Sequence, residues 1–210
     1  MTLRRVWAAA AVLALLSSLG CGTPVVAFAE GPREYLPTDY EHVLARWTRT
    51  EHLIALAELD DLLTVTATLE SWDFRWAYVI RYAHDYRLSV QQRRVLLDST
   101  LAETRTHHQF YVALYGGNRR WNDITRPNSA WIVRLIDDKG NETAPEEVTA
   151  IKPGALERAY FPYTSVWRQV FRIRFPATSP SGDTIAKDAN YVGLRFAGAQ
   201  GSEELHWDLR

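Results

Sequence analysis

Cysteine is nearly absent from this chain of 210 residues: there is one, Cys21, and it precedes the globular part. A disulfide-stapled module is therefore excluded, and stability must come from packing. Lysine is scarce too, with only Lys139, Lys152 and Lys187, the other cations being arginines. No sign of charge is in surplus. Lys+Arg 24 against Asp+Glu 25 gives a net −1, and without residues 1–20, which hold Arg4 and Arg5 and no acid, the net is −3. That balance argues against an electrostatic nucleic-acid binder. The one long apolar run, Val6 to Leu16, is shorter than the roughly 20 residues a transmembrane helix needs. Catalytic signatures are missing as well. There is no G-x-S-x-G, no H-E-x-x-H and no thiol in the folded part, and Gly116-Gly117 precedes no helix as a phosphate loop would. No cofactor and no metal are expected.

What is present begins with an export signal over residues 1–20: Arg4 and Arg5, the apolar run, then small residues. Ser18-Leu19-Gly20-Cys21 resembles the lipobox of bacterial lipoproteins, departing from it at Ser18, where Leu is preferred, and fitting it at Gly20. The resemblance implies a diacylglyceryl group on the Cys21 thiol, cleavage before it, and the membrane as a partner. Gly22, in the place where some lipoproteins carry the Asp that keeps them at the inner membrane, implies the outer membrane. Ala27-Phe28-Ala29 is a competing A-x-A site that would release a soluble periplasmic or secreted chain starting at Glu30. Residues 21–37, with Pro24, Pro32, Pro37 and no periodicity, read as a tether to a single domain over 38–210.

Within that domain, Thr38-Asp39-Tyr40-Glu41 predicts a capping box and a short helix carrying Val43, Leu44 and Trp47. Residues 52–58 are ambiguous between strand and helix. Leu63, Val65, Ala67 and Leu69 then alternate with threonines, which predicts a strand with one buried face. Ser71 and Ser89 are expected caps for two helices, to about Tyr86 and about Thr104, forming a hairpin over about residues 71–106. Trp72, Trp76, Val79 and Ala83 mark one face of the first helix, and Phe74, Tyr78 and Tyr82 a second aromatic row. In the second helix, Leu97 and Leu101 are expected inward. From His107 onward the period is two. Phe110, Val112 and Leu114 share a face, as do Trp131, Val133 and Leu135. Phe171, Ile173 and Phe175, then Val192, Leu194 and Phe196, and last Leu205, Trp207 and Leu209, repeat the pattern. About seven such strands predict a mainly β fold, an antiparallel immunoglobulin-like β-sandwich with the helical hairpin inserted.

His107-His108 is the tempting metal pair, but neighbours on a strand point to opposite faces. Asp137-Asp138-Lys139-Gly140-Asn141 has oxygen ligands without the spacing that wraps calcium, and reads as a turn. Binding residues are sought instead among loop aromatics, Trp121, Tyr160, Tyr163 and Trp167, and on an outward arginine face, Arg172, Arg174 and Arg195, able to pair with Glu204. Three functions follow from location and these residues. The first is a non-catalytic, membrane-anchored envelope lipoprotein that binds a protein or glycan. The second is a periplasmic hydrolase of envelope polysaccharide or peptidoglycan using carboxylates such as Asp123, Asp137 or Glu157. The third is a purely structural lipoprotein.

Overall fold

The computed structural model describes residues 24–55, 60–180 and 182–209; Cys21 and the expected signal lie outside them. A 3-10 turn, Pro37–Asp39, leads into helix α1 (Tyr40–Trp47), and strand β1 (Thr48–Ala55) follows without a loop. Thr38 is not the cap. The Asp39 carboxylate accepts the Leu36 N–H at 2.8 Å instead, and Tyr40, Val43, Leu44 and Trp47 are buried at the helical spacing. Residues 52–55 are strand, paired antiparallel with β2 (Asp60–Leu69), where Thr48 meets Thr68 at 2.7 Å and Thr50 meets Thr66 at 3.0 Å, hydroxyl to hydroxyl.

Helices α2 (Trp72–Asp85) and α3 (Val90–Thr104) form the expected hairpin before β3 (His107–Tyr115). Ser71 Oγ accepts the Phe74 N–H, and Ser89 with Gln92 completes a reciprocal capping box, each satisfying N-terminal donors that the helix cannot. The remaining elements are β4 (Ile132–Asp137), β5 (Glu142–Thr143), β6 (Glu147–Ile151), α4 (Ala155–Tyr160), β7 (Gln169–Pro176), β8 (Thr178–Ser179), β9 (Gly182–Asp183), β10 (Tyr191–Gly198) and β11 (Gly201–Asp208).

One antiparallel sheet runs β1-β2-β3-β7-β6 and a second β11-β10-β4-β5, while β8 and β9 make a two-residue hairpin. The fold is mainly β with antiparallel sheets, as the alternation predicts. Phe110 lies 5.4 Å from Trp207 of the other sheet and 5.7 Å from Phe175 of its own, ring centre to ring centre. Val65, Val112 and Phe171 join Leu135, Leu194 and Leu205 in the same core. Each such side chain contributes about 1.5–3 kcal/mol by leaving water.

Three details depart from expectation. The threonine face of β2 is buried as well, because α2, α4 and the segment after α4 cover it. Thr68 donates to or accepts from the Tyr163 hydroxyl at 2.7 Å, and Arg168 donates to Thr66 at 2.7 Å, so the buried hydroxyls keep partners. The aromatic row of α2 faces inward, with Phe74 and Tyr78 packed among Tyr40, Tyr160 and Phe161, while Trp72 and Trp76 stay half-exposed. Lying between the body and α3, α2 buries Val79 and Ala83 too; in α3 Leu101 is buried and Leu97 half-buried.

The third departure concerns the tether, which is attached from Pro24 onward. The Pro24 carbonyl accepts from Arg49, and the Val26 N–H donates to the Asp208 carbonyl at 2.8 Å in a parallel bridge beside Leu209. Val26 is 3% exposed. Farther along, Asp73 accepts from Arg33 at 2.9 Å, from Tyr35 at 2.6 Å and from the Trp47 indole at 3.0 Å. Val26, Phe28 and Tyr35 have no common period, so nothing in their spacing announces this packing.

Candidate functional site

The N-terminal segment forms one wall of a cavity of about 640 Å³. Pinned at Val26, the chain carries Ala27–Glu30 across the end of the body where β3 begins and β7 finishes. Gly31 then turns it at φ +124°, a conformation that disfavours any residue with a Cβ. Phe28 packs on Trp47 and on His108, with ring centres 5.9 and 6.1 Å away. Leu69 and Trp72, at the junction of β2 and α2, and Leu209 contribute further apolar wall.

The opposite wall comes from residues 177–178 and 183–189. Its fixed points are the Thr184 N–H on the Ala177 carbonyl at 3.0 Å and the Ala186 N–H on Asp137 at 2.9 Å. The Asn190 N–H donates to Asp138 at 2.7 Å. Asp137 also accepts from the N–H groups of Lys139 and Asn141 and from the Asn141 amide, so the acidic turn holds a cavity wall in place of calcium. Burial alone would raise the Asp137 carboxyl, and these donors hold it below the usual carboxylate range.

Charged side chains line the cavity both at its rim and, at Glu70, in its buried wall. Glu30 and Arg105 meet at 2.8 Å across the gap between the segment and the end of α3, and the Arg105 guanidinium sits 5.3 Å from the centre of the Trp72 ring. Lys187 reaches Asp183 at 3.8 Å with a side chain 91% exposed. The two histidines face opposite ways. His107 donates to Glu146 at 2.9 Å and accepts from Arg174 at 3.2 Å, whereas His108 lies against Phe28, where burial, with a smaller push from the nearby His107, lowers its pKa to about 4. No group of three or more His, Cys, Asp or Glu among the described residues is placed to hold a metal.

In the cavity wall Glu70 accepts from Gln109 at 2.7 Å and lies 3.5 Å from Arg75 and 3.6 Å from Arg172. Arg172 and Arg174 border a second, polar cleft of about 320 Å³ on the same sheet. Arg195 is elsewhere, on the outer face of the four-stranded sheet, paired with Glu204 at 2.7 Å and Glu142 at 3.1 Å. The three arginines therefore form no single face, because β7 and β10 belong to different sheets.

The loop aromatics divide likewise. Tyr160 is buried and donates to Asp85 at 2.9 Å, and the half-buried Tyr163 caps the threonine row, so both are engaged in packing. Trp121 and Trp167 are exposed, 49% and 74%. Both lie toward the end of the body opposite the cavity, since Leu114 of β3 is in register with Gln169 of β7. The carboxylates considered for hydrolysis do not converge. Asp123 binds Thr125 and Arg126 in its own loop, Asp137 holds the turn, and Glu157 caps α4 through the Gly154 N–H.

No family model matches the chain, and no curated protein matches it. A solved structure does: a novel protein of unknown function from Burkholderia pseudomallei K96243. It is 15% identical over 81% of this chain and 84% of its own, with a TM-score of 0.39. The cavity therefore has to be interpreted from its own chemistry.

Sequence reasoning missed Phe28, Glu30, Arg105 and Ile185. Phe28 and its alanines carried a signal, but it was the signal of a cleavage site. Glu30 and Arg105 are 75 positions apart and belong to no motif.

Proposed function

We propose that the protein is an exported, non-catalytic binding module of the cell envelope, an immunoglobulin-like β-sandwich anchored through lipidated Cys21, that takes a small apolar molecule into the cavity at its end. The observation that carries this reading is the cavity itself. Its volume of about 640 Å³ falls within the roughly 300–1,000 Å³ of ligand pockets, and it combines a mostly apolar wall with a few polar groups, Glu70 in the wall and Glu30 and Arg105 at the rim, as such pockets do. Two contacts support cleavage before Cys21. A cut after Ala29 would discard buried Val26 and would strip Phe28 from Trp47 and His108, leaving one wall missing. Gly22 supports the outer membrane as the location.

The test is photolabelling of the full chain in its own membranes with a compact, uncharged aryl diazirine. Saturable labelling of peptides holding Phe28, Ile185 or Leu209 is expected, together with its loss in Ala189→Trp. Labelling that does not saturate, or that Ala189→Trp leaves unchanged, would remove the proposal. The mass of the N-terminal peptide from the same sample reads the anchor: an acylated Cys21 supports it, and a free Glu30 ends it.

A second reading has its own observation. Trp121 and Trp167, exposed at the far end, offer flat apolar surface to a glycan or an envelope protein. Binding to isolated envelope material that survives Trp121→Ala with Trp167→Ala would dispose of it.

A further inference from the structure

We infer that the cavity's ligand is the single acyl chain of an anionic amphiphile taken up at the membrane surface, an inference that rests on the anchored, cavity-binding reading above. The first support is reach. Pro24 is fixed to Arg49 and Val26 to Asp208, so Cys21 stands three residue steps before the first anchored residue, with Gly22 and Thr23 between. Fully extended they span at most about 11 Å. The cavity wall begins at Ala27, three residues beyond Pro24. A lipid on Cys21 would hold that wall against the bilayer, and acyl chains would be the nearest apolar solutes.

The second support is the lining. Ala177, Ala186 and Ala189 line the cavity with Leu69, Ile185 and Leu209, a small and aliphatic portion of a wall that also carries Phe28, Trp72, His108 and the carboxylate of Glu70. Small and aliphatic side chains of this kind enclose a flexible chain without demanding hydrogen bonds from it. The third is the rim. Glu30 presents a carboxylate to the Arg105 fork in three contacts of 3.2, 3.1 and 2.8 Å. A fatty acid carboxylate or a lysolipid phosphate offers Arg105 the same kind of acceptor. Exchanging one anion for another leaves no charge unpaired on Arg105 and frees Glu30 to move into water. The Glu30–Arg105 pair then acts as the clasp that the ligand's head opens on entry. Both partners are exposed, so the clasp is weak enough to yield.

The experiment uses the full chain in its own membranes, photolabelled with a diazirine analogue of palmitate. Labelling is expected on peptides containing Phe28, Ile185 or Leu209, reduced by more than about tenfold in Ala189→Trp, the equivalent of losing one decade of affinity. Arg105→Gln is expected to weaken labelling by the palmitate analogue while sparing the analogue that ends in an alcohol. Glu30→Gln, which removes the internal competitor, raises labelling several-fold. These last two are surface changes and keep the test valid should Ala189→Trp fail to fold. A diazirine analogue of palmitoyl lysophosphatidylglycerol distinguishes the phosphate source from the carboxylate one. If the aryl diazirine labels the cavity and neither acyl probe does, the cavity reading stands and the acyl inference falls. If none labels it, both fall. Labelling by acyl probes that appears only in Cys21→Ser would mean that the protein's own acyl chain fills the cavity, which also overturns uptake of a separate amphiphile.

Discussion

Where β3 finishes, residues 118–131 close on themselves. The Ala130 N–H donates to the Trp121 carbonyl at 3.0 Å, the Trp131 indole donates to Asn122 at 2.9 Å, and Asp123 binds Thr125 and Arg126. At the other end of the same strand the walls come from distant stretches, 27–30, 69–72, 104–108, 177–178, 183–189 and Leu209, joined by contacts between them. A loop that satisfies its own polar groups can leave an aromatic in water, as Trp121 is left. Segments that must satisfy one another are held apart at fixed distances, and the space between them is a cavity. The difference lies in where the hydrogen bonds go, since both ends are rich in aromatics.

The largest effect is expected at Trp47, buried under the N-terminal segment and donating to Asp73. Trp47→Ala should cost about 3–5 kcal/mol and lower the melting midpoint by roughly 10 °C. A midpoint within a degree of the parent would mean that the segment does not depend on this contact. Acid comes next. His108 has its pKa lowered from 6.5 to about 4 by burial, so between those values the unfolded chain binds a proton that the folded chain refuses. Stability is complete above about pH 6.5, falls as the pH drops toward 4, and loses about 3 kcal/mol in all, the linkage value of a shift of that size. Melting curves from pH 7 to 4 should follow this slope in the parent and flatten in His108→Gln. Asp73 acts in a different window. Its burial is outweighed by donors that hold its pKa below 3.8, so its contribution is present above that value and fades only as the pH falls through the lowered one.

Val26→Ala sharpens the comparison on the cavity side. Removing two buried methyl groups should cost about 1–2 kcal/mol and make the bond after Ala29 easier for a protease to reach. Digestion that proceeds at the parent's rate would show that the Val26 bridge does not hold the wall. Trp167→Ala, on the self-closed side, should change stability by less than about 0.5 kcal/mol, read from the same melts. A larger loss would mean that the far end also depends on contacts between segments.

Much of the architecture is legible in the residues. Ser71 and Ser89 cap where Ser-x-x-Phe and Ser-x-x-Gln precede helical spacing, and the β3, β7 and β10 alternations place Phe110, Ile173 and Leu194 inward. Alternation gives the two faces of a strand but not what covers each. The threonines of β2 look solvated because they are polar, yet they are buried with partners supplied by Tyr163 and Arg168. The arginines of β7 and β10 look like one face because both alternate outward, and only sheet membership separates them. The cavity was the least legible part, since Glu30, Arg105 and Ile185 are related only through the folded chain.

The Val26–Asp208 bond has a consequence for the order of events. It joins the first described stretch of the chain to the last strand, so a loop spanning most of the described residues closes when it forms. A chain that emerges N-terminus first cannot make that bond until β11 has followed. Until then Phe28 and Glu30 have no wall to stand in, and the cavity does not exist. The bridge therefore makes the cavity wall dependent on the last strand, a check on the length of the chain as well as a part of its structure.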